Sequence, residues 1–229
     1  MPGTDTPPAR DADAPAHAAR AASRIALIGN PNTGKTSVFN ALVGVRHKTA
    51  NFPGTTQEFR IGRAARSADR ALEVIDLPGV YSLDSDLSES HVCRDALGGV
   101  HLDGRPPDAV CVVVDATRPA RGLRLVREIG SGGVPVVVAL NMHDIAHRRG
   151  IAIDAARLER TLGCPVILTD ARSGRGIGEL AGALADALAG ARVPSIGPPD
   201  EDPWVWARRI TGGAFVHGAG DHAHALTER

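Results

Sequence analysis

Lysine is nearly missing from this 229-residue chain. It occurs at Lys35 and Lys48 only, and the rest of the 26 basic side chains are arginine. A compact ammonium suits a phosphate as a point charge, so a lysine kept among arginines is worth locating. Excess charge is missing too: 26 acidic residues balance the 26 basic ones, which argues against a strongly nucleic-acid-binding surface. Cysteine is sparse. Cys93, Cys111 and Cys164 lie far apart with no C-x-x-C, so neither a disulfide framework nor a zinc knuckle is expected, and reduced thiols in a reducing compartment are. Cys111 sits inside Ala109-Val110-Cys111-Val112-Val113-Val114 and reads as a small buried hydrophobe. No apolar run approaches the roughly 18–20 residues that span a bilayer, and nothing resembles a secretory leader. With 43% apolar residues, the chain reads as one soluble α/β domain with tails.

What is present centres on Gly29-Asn30-Pro31-Asn32-Thr33-Gly34-Lys35-Thr36, of the form G-x-x-x-x-G-K-[ST]. The apolar run Ile25 to Ile28 precedes it as a strand, and Thr36 to Val43 follows at helical spacing. In that context the loop's backbone N–H groups and the helix N-terminus cradle phosphates. Lys35 then reaches the terminal phosphates, and Thr36, followed by Ser37, offers a hydroxyl to Mg²⁺. Alone, the loop says only "nucleoside triphosphate".

Two further motifs narrow this. Ala71 to Asp76 reads as a strand ending in Asp76-Leu77-Pro78-Gly79, a D-x-x-G in which Asp76 can hold Mg²⁺ and the Gly79 N–H can approach a γ-phosphate. The β-branched run Val134 to Leu140 leads into Asn141-Met142-His143-Asp144, an N-x-x-D. A carboxylate at Asp144 can accept from guanine N1–H and its 2-amino group, and a site built for those donors can reject the wrong base by roughly 10⁴-fold. Asn141 braces the loop. Asp170-Ala171-Arg172 follows a strand at Pro165 to Thr169, and the Ala171 N–H is expected to meet guanine O6.

The other elements expected are a strand at Glu58 to Arg66, a helix at Ser88 to Leu97, a strand at Asp108 to Asp115, a helix at Ala120 to Ile129, a helix over 155–163, and a helix at Ile177 to Leu188. Residues 44–57, with Asn51-Phe52-Pro53-Gly54-Thr55-Thr56, read as a mobile loop. Alternating strands and helices predict a three-layer α/β P-loop NTPase with a mostly parallel six-stranded sheet. Residues 1–23 read as a disordered tail, 24–190 as the domain, and 191–203 as a Pro/acidic linker. In 204–229, Trp204 to Ile210 forms a short helix with Trp204 and Trp206 as contact residues. A frayed, histidine-rich end follows from Thr211, not a metal site.

With these motifs in order, the chain resembles a translation-factor-type GTPase. More closely, Ile25 to Leu42, Asn51 to Gly54, Asp76 to Leu83, Ala139 to Ala146 and Gly150 to Val166 resemble the cytoplasmic G domain of bacterial ferrous iron transporter B (FeoB). The resemblance implies a Ras-like fold and slow GTP hydrolysis. It implies switch I at about 44–58, with Thr56 closing on Mg²⁺ and the γ-phosphate beside Gly54 and Thr55, and switch II at about 77–90. It assigns Asn32 to a potassium activator. Implied partners are GTP, GDP and a membrane permease or small iron-transport protein, at the inner face of the plasma membrane. Asp170 departs from the family's Ser or Thr at that position. The 39 residues after 190 leave no room for the family's helical domain, and its membrane core is absent, although Asp202 to Ile210 and His224 to Arg229 resemble its pre-membrane segment. A truncated or split form, or a fragment, is expected. The competing readings are a stand-alone ribosome-assembly GTPase and a GTP sensor that barely hydrolyses. Val80 keeps the sensor reading open, since it stands where Ras-like enzymes carry a water-positioning Gln.

Overall fold

The computed structural model describes residues 22–44, 47–51, 58–64, 72–100, 102–190, 194 and 200–217. Gly54, Thr55 and Thr56, the 1–21 tail, most of the 191–203 segment, and His222 and His224 lie outside them. The described chain runs β1 (Ser23–Gly29), α1 (Lys35–Val43), β2 (His47–Asn51), β3 (Glu58–Arg63), β4 (Leu72–Asp76), α2 (Ser88–Leu97), β5 (Ala109–Asp115), α3 (Pro119–Gly130), β6 (Val136–Asn141), α4 (His143–Arg148), β7 (Ile151–Ile153), α5 (Ala155–Leu162), β8 (Val166–Leu168), α6 (Ile177–Ala189), α7 (Pro203–Ala214) and β9 (Phe215–His217).

The main sheet has the order β2-β3-β4-β1-β5-β6-β8. From β4 to β8 every neighbour is parallel, while β3 runs antiparallel to β4 and β2 antiparallel to β3. The sheet is therefore seven-stranded rather than six. The added strand, β2, falls in the stretch read as a loop: His47-Lys48-Thr49-Ala50-Asn51 carries no apolar alternation and is recruited by pairing with β3. Tertiary pairing overrides weak local preference at such an edge.

The period-2 geometry of the central strands sorts their side chains between two cores. Ala26, Ile28, Val110, Val112, Val114, Val136, Val138 and Leu140 face α2, α3, α5 and α7. Ile25, Leu27, Cys111, Val113, Val137 and Ala139 face α1 and α6. Burial on both faces is why these strands read as unbroken apolar runs.

The C-terminal part differs most from expectation. The helix does not end at Ile210: α7 continues through Gly212 and Gly213 to Ala214, and residues 215–217 pair with β7 instead of fraying. Asp202 caps α7 by accepting from the N–H groups of Trp204 and Val205 (2.9 and 3.0 Å), and Pro203 occupies its first turn. Trp206, Ala207, Ile210 and Ala214 are buried against α3 and α5. This packing stabilises a helix that its two late glycines disfavour. The segment α4–β7, between the N-x-x-D motif and α5, was not among the expected elements. No described helix is long and apolar enough to cross a membrane.

Candidate nucleotide-binding site

Among the described residues, five loops gather at the carboxyl edge of the parallel strands: 30–34 after β1, 77–80 after β4, 116–118 after β5, residue 142 after β6 and 169–176 after β8. Open α/β sheets bind ligands along this edge.

The first loop is shaped by two residues in the left-handed region, Asn32 (φ 65°) and Gly34 (φ 79°). Gly34 is also the N-cap of α1, so no side chain there caps the first-turn N–H groups, and no acidic residue lies in that turn. An α-helix entered this way presents its free donors and positive end to an anion. Gly34 could not carry a side chain, because a Cβ would collide with Asn141 Nδ2. The cleft above the loop, about 490 Å³, is lined by residues of this loop with Lys35, Thr36, Ser37, Gly79 and Glu89.

The pairing of β1 with β4 sets Asp76 beside the loop, opposite Leu27. The Lys35 ammonium pairs with Asp76 Oδ1, and the Thr36 hydroxyl donates to Oδ2 at 3.0 Å. Both charged groups are largely buried, with side-chain exposures of 11% and 6%. Next, the Val80 N–H donates to the Gly29 carbonyl (3.0 Å), and Asn30 Nδ2 donates to the Val80 carbonyl (2.9 Å). This holds Gly79 against Pro31, where a Cβ would meet the Pro31 backbone at 3.2 Å. The Val80 side chain is buried in the core.

Asn141 ties the opposite side together. Its Nδ2 donates to the Thr33 carbonyl (2.9 Å), while its Oδ1 accepts from the Ala171 N–H (3.1 Å) and the Thr169 hydroxyl (3.3 Å). One buried amide thus fixes the phosphate loop to the loop after β8. The Ala171 N–H, expected to meet guanine O6, is here given to Asn141. Asp144, half-buried at the start of α4, pairs with Arg148 at 2.8 Å. Met142 adopts φ 62° and lies over Gly34. Asp170 accepts from the Ser173 hydroxyl at 2.6 Å, which holds its carboxyl below the usual value, and its backbone pairs with Arg175. Arg172 is exposed.

The structure thus brings together Gly29 to Ser37, Asp76, Gly79, Asn141, Met142 and Ala171, while Asp144, Asp170 and Arg172 lie in the segments that follow β6 and β8 at the same edge. It also adds residues that the sequence reading passed over. Asp115, at the end of β5, accepts from the Thr117 N–H and hydroxyl, both at 2.8 Å. With Tyr81, Arg118, Arg121 and Arg149 it lines a second cleft that opens against Asn30 to Thr33. Asp115 was findable, since it ends a central strand at the same edge as Asp76 and Asn141. Burial pushes all three thiols up to about 12; for Cys93, which lies against the Pro78 carbonyl, Lys35 opposes that rise.

Fold and site together are those of a P-loop G domain. The family model described as ferrous iron transport protein B matches residues 23–184. The chain belongs to that family. The Fe(2+) transporter FeoB of Salmonella typhimurium is 40% identical over 158 residues, 67% of this chain and 20% of that protein. The chain spans about a fifth of the length of such relatives. Among solved structures, a point mutant of S. thermophilus NFeoB bound to GDP is 36% identical, with TM-score 0.66, 76% of this chain and 62% of that one covered. The cytosolic domain of T. maritima FeoB in its GMPPNP form is 25% identical, with TM-score 0.75, 85% of this chain and 99% of that one covered.

Proposed function

We propose that this chain binds GTP and GDP with Mg²⁺, hydrolyses GTP slowly to GDP and phosphate, and acts as the switch domain of a ferrous iron uptake system. The observation that carries the reading is the convergence of the Lys35 ammonium and the Thr36 hydroxyl on the Asp76 carboxylate, beside an uncapped helix N-terminus. The donor set fits Mg²⁺: a hydroxyl and a carboxylate are hard oxygen ligands, and this ion is commonly held by one or two protein groups plus the phosphates of its nucleotide. Among the described residues no group of three or more His, Cys, Asp or Glu forms a cage of its own. Bound there, Mg²⁺ would neutralise charge on the phosphates.

Lys35 carries positive charge to the terminal phosphates, and the N–H groups of Asn32 to Thr36 and of Gly79 donate to their oxygens. Asp144 selects guanine by accepting from N1–H and the 2-amino group, with Asn141, Met142 and the Asp170–Arg172 loop shaping the pocket around it. Thr56 closes on the γ-phosphate, a role drawn from the family resemblance. The slow rate follows from Val80. Its side chain is apolar and buried, so it cannot orient an attacking water, and catalysis rests on positioning and charge. Asn32, exposed on the rim of the loop, would help hold a potassium ion, whose charge would add to that of Lys35. The membrane permease that receives the signal, or a small iron-transport protein, meets this domain at the inner face of the plasma membrane.

The test is GTP turnover by the purified protein in potassium and in sodium, with Asn32→Ala alongside. Stimulation by potassium that disappears in the variant supports the reading. Equal, near-zero turnover in both salts with GTP still bound leaves the second reading, a nucleotide sensor, which the buried Val80 favours.

A further inference from the structure

The chain has two tryptophans, Trp204 and Trp206, and both lie in α7 against arginines of α3. Arg127 stands over the Trp206 ring at 5.7 Å and Arg124 over Trp204 at 5.2 Å. A guanidinium held over an indole face is attracted by the ring quadrupole. Arg124 is held in turn by Glu128, one turn on, whose Oε1 accepts from Arg124 Nε at 2.9 Å. Glu128 also reaches beyond its own helix. It accepts from the Leu83 N–H at 2.7 Å and from the Ser82 hydroxyl at 3.1 Å. Ser82 and Leu83 follow Gly79 of the D-x-x-G motif by three and four residues, and Val80 between them is bonded to the phosphate loop at both its N–H and its carbonyl. One carboxylate therefore joins the segment beside the phosphate site to the C-terminal helix.

The ion pair is partly desolvated, with side-chain exposures of 21% for Arg124 and 13% for Glu128. Such a pair is less screened than one on open surface and is costly to break on one side only. A shift of residues 80–83 must either carry the Glu128 carboxylate along or strip it of Ser82 and Leu83. Both outcomes change how Arg124 sits on Trp204.

We propose that Glu128 is a positioning residue that couples α7 to the nucleotide: it ties the segment after Gly79 to the Arg124–Trp204 stack, so that the two move together. The inference rests on the nucleotide reading above. Coupling is reciprocal, so the docking of α7 also biases the segment after Gly79 and with it the preference between triphosphate and diphosphate.

The test uses the full chain with Mg²⁺. Tryptophan emission is recorded with GDP and with GMPPNP while calorimetry measures binding of each. In the unaltered chain the two nucleotides give different emission. In Glu128→Gln and Arg124→Gln, each checked for folding by circular dichroism, both nucleotides still bind but the emission difference is lost. The ratio of GMPPNP to GDP affinity shifts by roughly 5-fold or more. Arg209→Ala breaks the Glu201 pair elsewhere on α7 (2.8 Å) and retains the difference. A merely structural brace would lower stability without this pattern. Identical emission for two nucleotides that both bind overturns the proposal, as does a difference that survives in both Gln variants. Failure of the unaltered chain to bind either nucleotide overturns the underlying reading and the proposal with it.

Discussion

Replacing Asn141 by alanine isolates one side chain on which two loops depend. Its amide is 3% exposed and makes three hydrogen bonds, to the Thr33 carbonyl, the Ala171 N–H and the Thr169 hydroxyl. Alanine removes all three and leaves the partners in place. A buried polar group left unpaired costs about 1–3 kcal/mol. The Thr33 carbonyl, on a residue 3% exposed, should lie well inside that range. The Ala171 N–H is on a half-buried residue that solvent reaches, so it adds less, and the Thr169 hydroxyl can rotate. The expected destabilisation is about 2–4 kcal/mol, or roughly a 4–16 °C fall in Tm for a chain of this size. Urea titration followed by circular dichroism measures it. Asn141→Asp sharpens the argument, because it keeps the acceptor for Ala171 and Thr169 and replaces only the donor to Thr33 with a carboxylate facing a carbonyl. It should still destabilise, and nucleotide affinity should fall in both variants. A loss under about 0.5 kcal/mol in Asn141→Ala, with affinity unchanged, would refute the view that this amide holds the two loops together.

Gly34→Ala should lose nucleotide binding almost completely, since φ 79° and the close approach of Asn141 both exclude a Cβ; isothermal calorimetry checks it. Asp144→Asn exchanges one acceptor oxygen for a donor, so preference should move from guanine toward xanthine nucleotides by a large factor in competition binding; unchanged preference would mean that Asp144 does not read the base. The Asp170 carboxyl is held below its ordinary value of 3.8 by Ser173. Because its folded value is depressed, its stabilising contribution is complete above about pH 5 and disappears as pH falls through the folded value. The stability difference between the unaltered chain and Asp170→Asn should therefore be constant from about pH 5 to 8 and shrink only in acid.

How far the sequence could be read depended on the range of the interactions. The phosphate loop, D-x-x-G and N-x-x-D were legible because each is a short string on the end of an apolar strand, and strand pairing then sets the strings side by side. Asn141 could be read as a brace but its partners could not, since they lie 28, 30 and 108 residues away. Glu128 carried no signal at all: it looks like any charged residue in a helix, and only the packing of α3 against the segment after Gly79 gives it Ser82 and Leu83. Polar β2 was invisible because its order comes from β3. The extent of α7 was misjudged because Gly212 and Gly213 suggest a chain end, whereas burial of Trp206, Ala207, Ile210 and Ala214 carries the helix through them.

The pairing of β7 with β9 sets a schedule for synthesis. Ile151 bonds into register with His217, and the Asp154 N–H donates to the Ala214 carbonyl at 2.8 Å. Every strand of the main sheet has been translated by Leu168, yet the apolar flank of α3 and α5 has no cover until α7 leaves the ribosome. At roughly 5–20 residues per second, the interval from Ala189 to His217 lasts a few seconds, plus the passage of the exit tunnel. During that time a nascent chain able to assemble its phosphate loop still displays a hydrophobic face. It is then a substrate for chaperones, and a ribosome stalled in this window would release a species prone to aggregate rather than a smaller working domain.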